Sequence, residues 1–327
     1  MDNRNTAHWK RLRHVLLAVF SLFAIATIGF GVYTDFLLNR ITREPEMDET
    51  IANETVSADL SATETAQKDA ASDVINILLI GQDRRPGQTK NARSDAMILC
   101  TLNPASKTLT FTSFMRDMYV PIPGRKSNRI NAAYAIGGMD LLQRCIEENF
   151  GIEIHGNIAV DFAAFTSAID LVGGVDVALT EKEAKYLNTN TYKDQPHWSA
   201  SLKEGVNRLD GNLALAYARI RKLSGNDFGR TQRQRNVLLA LASRVSELTL
   251  PEMHRLLKGL LEQVTTDMSN AQLIGYAFRL LPVLKDYQTA SQQIPANGTY
   301  RNATINGMQV LVPDLQKNRQ ILEKIVS

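Results

Sequence analysis

The sequence predicts an α/β fold: a single domain with a mixed central β-sheet between helical layers, preceded by one N-terminal transmembrane helix. Three observations carry that prediction. Val15–Tyr33 is an uncharged run of 19 residues, and a long acidic stretch without apolar periodicity follows it. From residue 74 onward, short apolar runs alternate with segments of helical periodicity. No internal repeat and no second linker interrupts the alternation, so one layered domain accounts for it.

The chain has 327 residues and a formal net charge of +3. That length allows one large or two ordinary domains, and the distribution of charge says more than its sum. Arg4, Lys10, Arg11 and Arg13 precede the apolar run. A run near 20 residues suits a bilayer span. A secretory signal has a shorter apolar core and a small-residue cleavage site, whereas Tyr33-Thr34-Asp35-Phe36 follows here. The basic residues place the N-terminus in the cytoplasm. The expected order is a cytoplasmic tail at 1–14, a transmembrane helix at 15–33, and everything beyond on the outer side of the cell membrane. Residues 34–73 are expected to form a flexible stalk. Glu44–Asp73 has nine acids and one lysine, and such a composition buries too little surface to offset chain ordering.

The folded domain is expected at 74–327. Val74–Ile80 is a near-continuous apolar run, as a strand covered on both faces gives, and Gly81 ends it. Ala96–Leu102 reads as a second strand, Asn103–Ser106 as a turn, and Thr108–Phe114 as the hairpin partner. Asn131–Ala135 and Met139–Phe150 read as helical pieces broken at Gly137-Gly138. Ile158–Val160 is a candidate strand, Phe162–Val172 a helix closed by Gly173-Gly174, and Val175–Leu179 another strand. Asn188–Gly205 reads as a polar loop, and Leu213–Arg219 as a short helix opened by Asp210-Gly211-Asn212. A basic helix starts at Arg230. Two amphipathic helices near Pro251–Val264 and Ser269–Leu281 follow, then a strand at Gly307–Val312 and a terminal helix to Val326. Cys100 and Cys145 fall in a predicted strand and a predicted helix. Packed free thiols and a disulfide both remain open for them.

Polar residues gather where apolar elements end. The densest stretch is Leu215–Asn236, with five arginines and one lysine against one acid. Arg219 and Arg221 close an apolar run, and Arg230, Arg233 and Arg235 open the basic helix. Arginines near a helix N-terminus oppose the helix dipole. An anion bound there would reconcile them, since free N–H groups and guanidinium forks then converge on it. The other reading is a solvated basic face. A second cluster spans Asp83–Asp95 and includes Arg93. Its carboxylates, without His or Cys nearby, form a hard oxygen set suited to Mg²⁺ or Mn²⁺, or an Arg–Asp ion-pair network without metal. The third is Arg116-Asp117, where a salt bridge is the expected role of Asp117. His197 and His254 read as surface residues. In α/β sheets, sites gather at strand ends, and arginines beside a metal suit a diphosphate. The sequence lacks G-x-S-x-G, P-loop and H-E-x-x-H motifs, which leaves other hydrolase and NTPase readings unsupported.

Six segments then match a known family in order. They are Val-Ile-Asn-Ile-Leu-Leu-Ile-Gly-Gln-Asp-Arg-Arg from Val74, Ala-Arg-Ser-Asp-Ala-Met-Ile from Ala92, Ser-Phe-Met-Arg-Asp-Met-Tyr-Val-Pro-Ile-Pro from Ser113, Arg-Ile-Asn-Ala-Ala-Tyr-Ala from Arg129, Tyr-Ala-Arg-Ile-Arg from Tyr217, and Asp-Phe-Gly-Arg-Thr-Gln-Arg-Gln from Asp227. The chain resembles the LytR-CpsA-Psr family of bacterial cell-envelope proteins. The resemblance covers a motif core at 75–241 and leaves 246–327 as an expected C-terminal helical extension.

The resemblance implies a phosphotransferase that moves a glycopolymer, such as teichoic acid or capsule, from a polyprenyl diphosphate carrier to peptidoglycan. A phosphodiester forms and polyprenyl phosphate is released. By motif, Asp83 and Asp95 become ligands of Mg²⁺ (or Mn²⁺). Arg116, Arg219 and Arg221 become catalytic groups on the diphosphate, Arg93, Arg230 and Gln234 complete its binding, and Asp227 supports them. Val160, Phe162, Phe165 and Ile169 are candidates to line an apolar tunnel for the lipid. The implied partners are the lipid-linked glycan, peptidoglycan and the cell membrane, with no nucleic acid. This chain has Ala132 where many relatives have His, and Ala96 where many have Thr. A polyprenyl diphosphate hydrolase and a non-enzymatic envelope-linked regulator are the alternative readings. A DNA-binding regulator would need a cytoplasmic domain, against the N-terminal charges.

Overall fold

Apolar runs of the kind seen at Ile75–Ile80 settle as strands between two helical layers, and the sheet they build positions everything else. The structure, a computed structural model, describes residues 38–44, 74–82, 94–189, 201–223, 226–280 and 286–326. The expected tail 1–14, anchor 15–33, most of the stalk 34–73, Asp83, Arg93 and His197 lie outside these residues. Among the described residues no helix is long and apolar enough to cross a membrane. Thr42–Ser327 forms one compact unit.

Along the chain come β1 (Thr42–Arg43), β2 (Ile75–Gln82), β3 (Ser94–Asn103) and β4 (Thr108–Phe114). A small pair, β5 (Tyr119–Val120) and β6 (Asn128–Arg129), leads into α1 (Asn131–Phe150). Then follow β7 (Gly156–Val160), α2 (Phe162–Leu171), β8 (Val175–Leu179), α3 (Glu181–Thr189), β9 (Gly205–Leu209), α4 (Gly211–Ala218) and α5 (Asn226–Ser246). The rest is α6 (Leu250–Leu260), β10 (Val264–Thr266), α7 (Asn270–Leu280), β11 (Gln288–Ile294), β12 (Tyr300–Ile305), β13 (Met308–Pro313) and α8 (Leu315–Val326). The main sheet has seven strands in the order β1-β10-β7-β2-β3-β4-β11. It is mixed: β2 runs antiparallel to β3 and parallel to β7, and β11 runs parallel to β4.

Side chains alternate across the pleat, and each face packs its own layer. Leu78, Ile80, Leu99 and Phe114 meet Leu142, Ile146 and Phe150 of α1 and Leu322 of α8 in one core. Ile75, Ile98, Leu102 and Phe111 meet Leu238, Leu239 and Ala242 of α5 and Tyr276 of α7 on the other face. A third core joins α2, α3, α4, α5 and α6 with the β8–β9 hairpin, around Ile169, Leu209, Tyr217 and Val237. The predicted α/β architecture with a mixed sheet is therefore what forms. Cys100 and Cys145 are free thiols that belong to different cores. Burial pushes the Cys145 thiol up to about 12, despite its contact with Asn149.

Several elements differ from expectation. α1 does run from Asn131 to Phe150 around a break, because Gly137 and Gly138 leave helical geometry, Gly138 at φ 63°. The basic helix begins at Asn226, a turn before Arg230, so Asp227 stands in its first turn. The expected loop at 188–205 hides the ends of two elements, α3 and β9. Thr180 and Glu183 cap α3 reciprocally: Thr180 N–H donates to Glu183 Oε2 at 3.0 Å, and Glu183 N–H to Thr180 Oγ1 at 3.3 Å. The C-terminal extension is not simply helical. It supplies β10 and β11 to the main sheet and the β12–β13 hairpin.

Candidate functional site

Three chain segments converge at the C-terminal end of β4. The first is the start of β3. Ala96 pairs with Gly81 and Ser94 with Gln82, which leaves Asp95 as the extra residue of a β-bulge. A bulge re-aims a side chain out of the ladder. Gly81 makes room, since a Cβ there would lie 3.1 Å from that of Ala96. The second is the turn after β4, where Met118 N–H donates to Met115 O at 3.0 Å and presents Arg116 and Asp117. The third is the start of α5.

Arg116 joins them. Its Nη1 donates to Asp95 Oδ1 at 3.0 Å, and Nη2 lies 3.4 Å from both oxygens of Asp227. Its Nε lies 3.6 Å from Asp117 Oδ2, and Asp117 Oδ1 lies 3.3 Å from Arg129 Nε. Neither Nε makes an aimed hydrogen bond, so these two contacts are attractions of charge. The expected ion pair of Asp117 is present. Burial works against the charge of Arg116, but Asp227, Asp117 and Asp95 outweigh it and hold its pKa above the ordinary arginine value.

Arg230 differs from Arg116. It is 2% exposed, and its Nη1 stands 3.0 Å from Asp227 Oδ1. Yet none of its three nitrogens makes a hydrogen bond among the described residues, because the fork is not directed at that carboxylate. Burial first, then repulsion from Arg116 and Arg221, draws its pKa below the ordinary value against the opposing pull of Asp227 and Asp95. A desolvated guanidinium with unspent donors near a helix N-terminus suits an oxyanion. Gln234, one turn further, is half-buried, and its Oε1 also lacks a partner among the described residues.

Arg219 follows the last residue of α4, and Arg221 lies two residues beyond; both are exposed, while Ile220 between them is buried in the helical core. The Arg219 guanidinium lies 4.7 Å over the Phe162 ring, a cation–π contact that fixes its direction. Of the proposed tunnel residues, Ile169 is fully buried and Phe165 packs partly buried beside it. Asp95, Arg116, Asp227 and Arg230 are thus linked by ion pairs, Arg221 adds its charge to Arg230, and Arg219 lies two residues before Arg221. Asp83 and Arg93 themselves lie outside the described residues. Among the described residues no group of three or more His, Cys, Asp or Glu could hold a metal ion.

The other two arginines of α5 leave the cluster. Arg233 Nε donates to Glu183 Oε1 at 2.7 Å, and its Nη1 to Ile220 O at 3.2 Å. That second bond pins the backbone between Arg219 and Arg221. Arg235 turns toward β11, where its Nε donates to Ser291 Oγ at 2.8 Å.

Sequence reasoning missed the structural support of the site. Phe228 stacks on Tyr300 of β12, with centroids 5.5 Å apart, and so steadies the residue after Asp227. Leu311 N–H of β13 donates to Asp117 O at 3.0 Å, and Arg129 Nη2 to Gln309 O at 2.7 Å. No local signal ties residues so far apart. The partner of Arg233 was more accessible, because Thr180-x-x-Glu183 has the spacing of a capping box.

Comparison with known proteins adds to this geometry. The chain is 34% identical over 257 residues to the polyisoprenyl-teichoic acid–peptidoglycan teichoic acid transferase TagU of Oceanobacillus iheyensis, covering 76% of this chain and 74% of that one. TagU of Bacillus mycoides is 31% identical over 308 residues, covering 93% of this chain and 94% of that one. Among solved structures, TagT with bound octaprenyl pyrophosphate lipid is similar with a TM-score of 0.59 and 27% identity, over 78% of this chain and 90% of that one. The model of the LytR_cpsA_psr family matches residues 36–326, from the segment before β1 to the last turn of α8, and the chain belongs to the LytR-CpsA-Psr family.

Proposed function

We propose that this protein transfers a glycopolymer from a polyprenyl diphosphate carrier to peptidoglycan. The acceptor sugar hydroxyl attacks the phosphorus next to the glycan. A P–O bond forms there, the bridging P–O bond breaks, and polyprenyl phosphate leaves with the electron pair while the hydroxyl proton is lost. The observation that carries the reading is Arg230, buried and with all its donors unspent beside Arg116 and Arg221. Diphosphate oxygens satisfy those donors, and the surrounding charge favours the group whose negative charge shifts during transfer. Relatives named for this transfer, and a neighbour carrying octaprenyl pyrophosphate, support it.

In this reading Arg116, Arg219, Arg221 and Arg230 grip the diphosphate, with Arg93 and Gln234 completing the grip. Asp227 orients Arg116 and Arg230 by standing between them. Asp95 and Asp83 would hold Mg²⁺ (or Mn²⁺). The donor set fits: Asp95 projects from its bulge with its side chain 31% exposed, and carboxylate oxygens are the ligands such a cation prefers. Mg²⁺ keeps several waters and needs only one or two carboxylates, so a three-carboxylate cluster is not required. When bound, the metal supplies positive charge to the phosphate oxygens. Purified protein should move a glycan from a polyprenyl diphosphate donor to peptidoglycan fragments, and chelation should stop it. Asp83→Ala should remove the response to added Mg²⁺. Release of polyprenyl phosphate without attachment would convert the reading to a hydrolase, and undiminished Mg²⁺ dependence in Asp83→Ala would remove that ligand.

We also place residues 15–33 in the cell membrane as a single anchor, with the domain outside; that domain takes in Thr42–Arg43, which pair with β10 at the edge of the main sheet, so the tether expected at 34–73 does not extend through them. A cysteine introduced at Ser327 should react with an impermeant maleimide on intact cells. Labelling only after lysis would put the domain on the wrong side of the membrane for this substrate.

A further inference from the structure

A second buried guanidinium on α5 plays no part in that chemistry. Arg235 is 3% exposed. Its Nε donates to Ser291 Oγ at 2.8 Å and its Nη2 to Gln232 Oε1 at 2.6 Å. Its Nη1 is buried and has no hydrogen-bond partner among the described residues. Arg233, two residues earlier, is neutralised by Glu183. No carboxylate answers Arg235 among the described residues, and burial alone draws its pKa down to about 10. A buried cation left without a counter-charge is costly to keep.

Arg235 lines a cavity of about 190 Å³ together with Gln232, Ser291, Gln292, Gln293 and Asn297. Every lining side chain is an amide, a hydroxyl or the guanidinium. Ligand pockets are ordinarily lined mainly by apolar groups, so this one suits neither a prenyl chain nor an aromatic ring. It suits an oxyanion carried among hydroxyl groups. Its place in the fold is equally informative. Gln292 and Gln293 pair with Thr112 and Ser113 along β4. Met115 N–H then donates to Ile294 O at 2.8 Å, and Arg116 is the next residue. On α5, Gln232 and Arg235 lie two and five residues beyond Arg230. The cavity therefore stands one strand and about one helical turn from the Arg116–Asp227–Arg230 cluster, at the edge of the sheet.

We propose that the Arg235 cavity binds an oxyanion of a glycan, held by the uncompensated charge of the Arg235 guanidinium and by the surrounding amides, as an outlying subsite of the transfer site. The proposal rests on the transferase reading for the identity of the glycan. The oxyanion has two possible sources with shared chemistry: a phosphodiester in the transferred polymer, or a carboxylate of a peptide stem on the acceptor.

The test is direct binding without lipid or turnover, so its failure is separable from failure of the transfer assay. Full-length protein in detergent is titrated with a soluble glycerol phosphate oligomer and, separately, with a muropeptide. Arg235→Gln and Asn297→Asp are titrated in parallel. Asn297 is exposed, so Asn297→Asp keeps the fold and sets a like charge at the cavity rim. We expect one probe to bind the unmodified protein, with affinity falling roughly ten-fold in Arg235→Gln, the order expected for a charge-assisted hydrogen bond, and measurably in Asn297→Asp. Binding of the oligomer assigns the subsite to the donor polymer, and binding of the muropeptide assigns it to the acceptor. Binding of neither probe, or equal binding by folded variants, overturns the proposal. Loss of transfer with this binding intact would count against the transferase reading alone.

Discussion

Replacing Arg116 with Gln should lower transfer about 10²- to 10³-fold, the usual effect of deleting one pre-set donor to a developing charge. Arg116 touches Asp95, Asp117 and Asp227, each from a different segment. Its loss removes a positive charge from the proposed diphosphate site. It also leaves three carboxylates facing one another where the substrate is anionic. The fall should appear mainly in kcat, because the charge it opposes grows on the way to the transition state. Steady-state kinetics on purified protein checks this, with circular dichroism to show that the fold persists. A folded Arg116→Gln variant whose rate stays within about three-fold would move the chemistry away from the end of β4.

The second large effect concerns stability. Arg233→Met should destabilise the protein by about 3–5 kcal/mol, the range for breaking a buried ion pair and stranding its partner. The Arg233 and Glu183 side chains are 6% and 11% exposed, with Nε and Oε1 2.7 Å apart. On the scale of a large domain this corresponds to a drop in Tm of roughly 10 °C. Glu183→Gln in the same chain should restore part of the loss, since an amide does not leave an unpaired charge in the core. Activity should suffer as well, because Arg233 holds Ile220 O between Arg219 and Arg221. A thermal melt of the single and double variants tests the pair. A single variant within about 2 °C of the unmodified protein would show that Glu183 finds another partner.

These expectations differ in how far the sequence alone could have supplied them. Arg116, Arg219, Arg221 and Arg230 stand out because charge at the end of an apolar element is costly without a ligand. The motif order then gave each a role. What separates Arg230 from Arg233 and Arg235 is the direction each takes from α5, and neighbours on the same helix turn resist separation by spacing alone. Arg233 finds Glu183 on α3, and Arg235 finds Ser291 on β11. Neither partner is close in sequence. Asp95 illustrates the same limit: its carboxylate reaches Arg116 because a bulge opposite Gln82 turns it out of the strand, and a bulge depends on the register of two strands.

The sequence by itself determined the α/β class, the strands of the β2–β4 meander and the grouping of basic residues around one site. Apolar periodicity and the cost of placing charge are local properties, legible along the chain. Tertiary structure alone decided the sheet edge and the site's supports. β11 reads Gln-Thr-Ala-Ser-Gln-Gln-Ile, a polar segment without alternation, and it becomes a strand because it pairs with β4 along its whole length. The β12–β13 hairpin matters to the site because it docks on Asp117 and stacks Tyr300 against Phe228. Long-range pairing depends on what lies opposite a segment, and that partner is fixed only when the chain has folded.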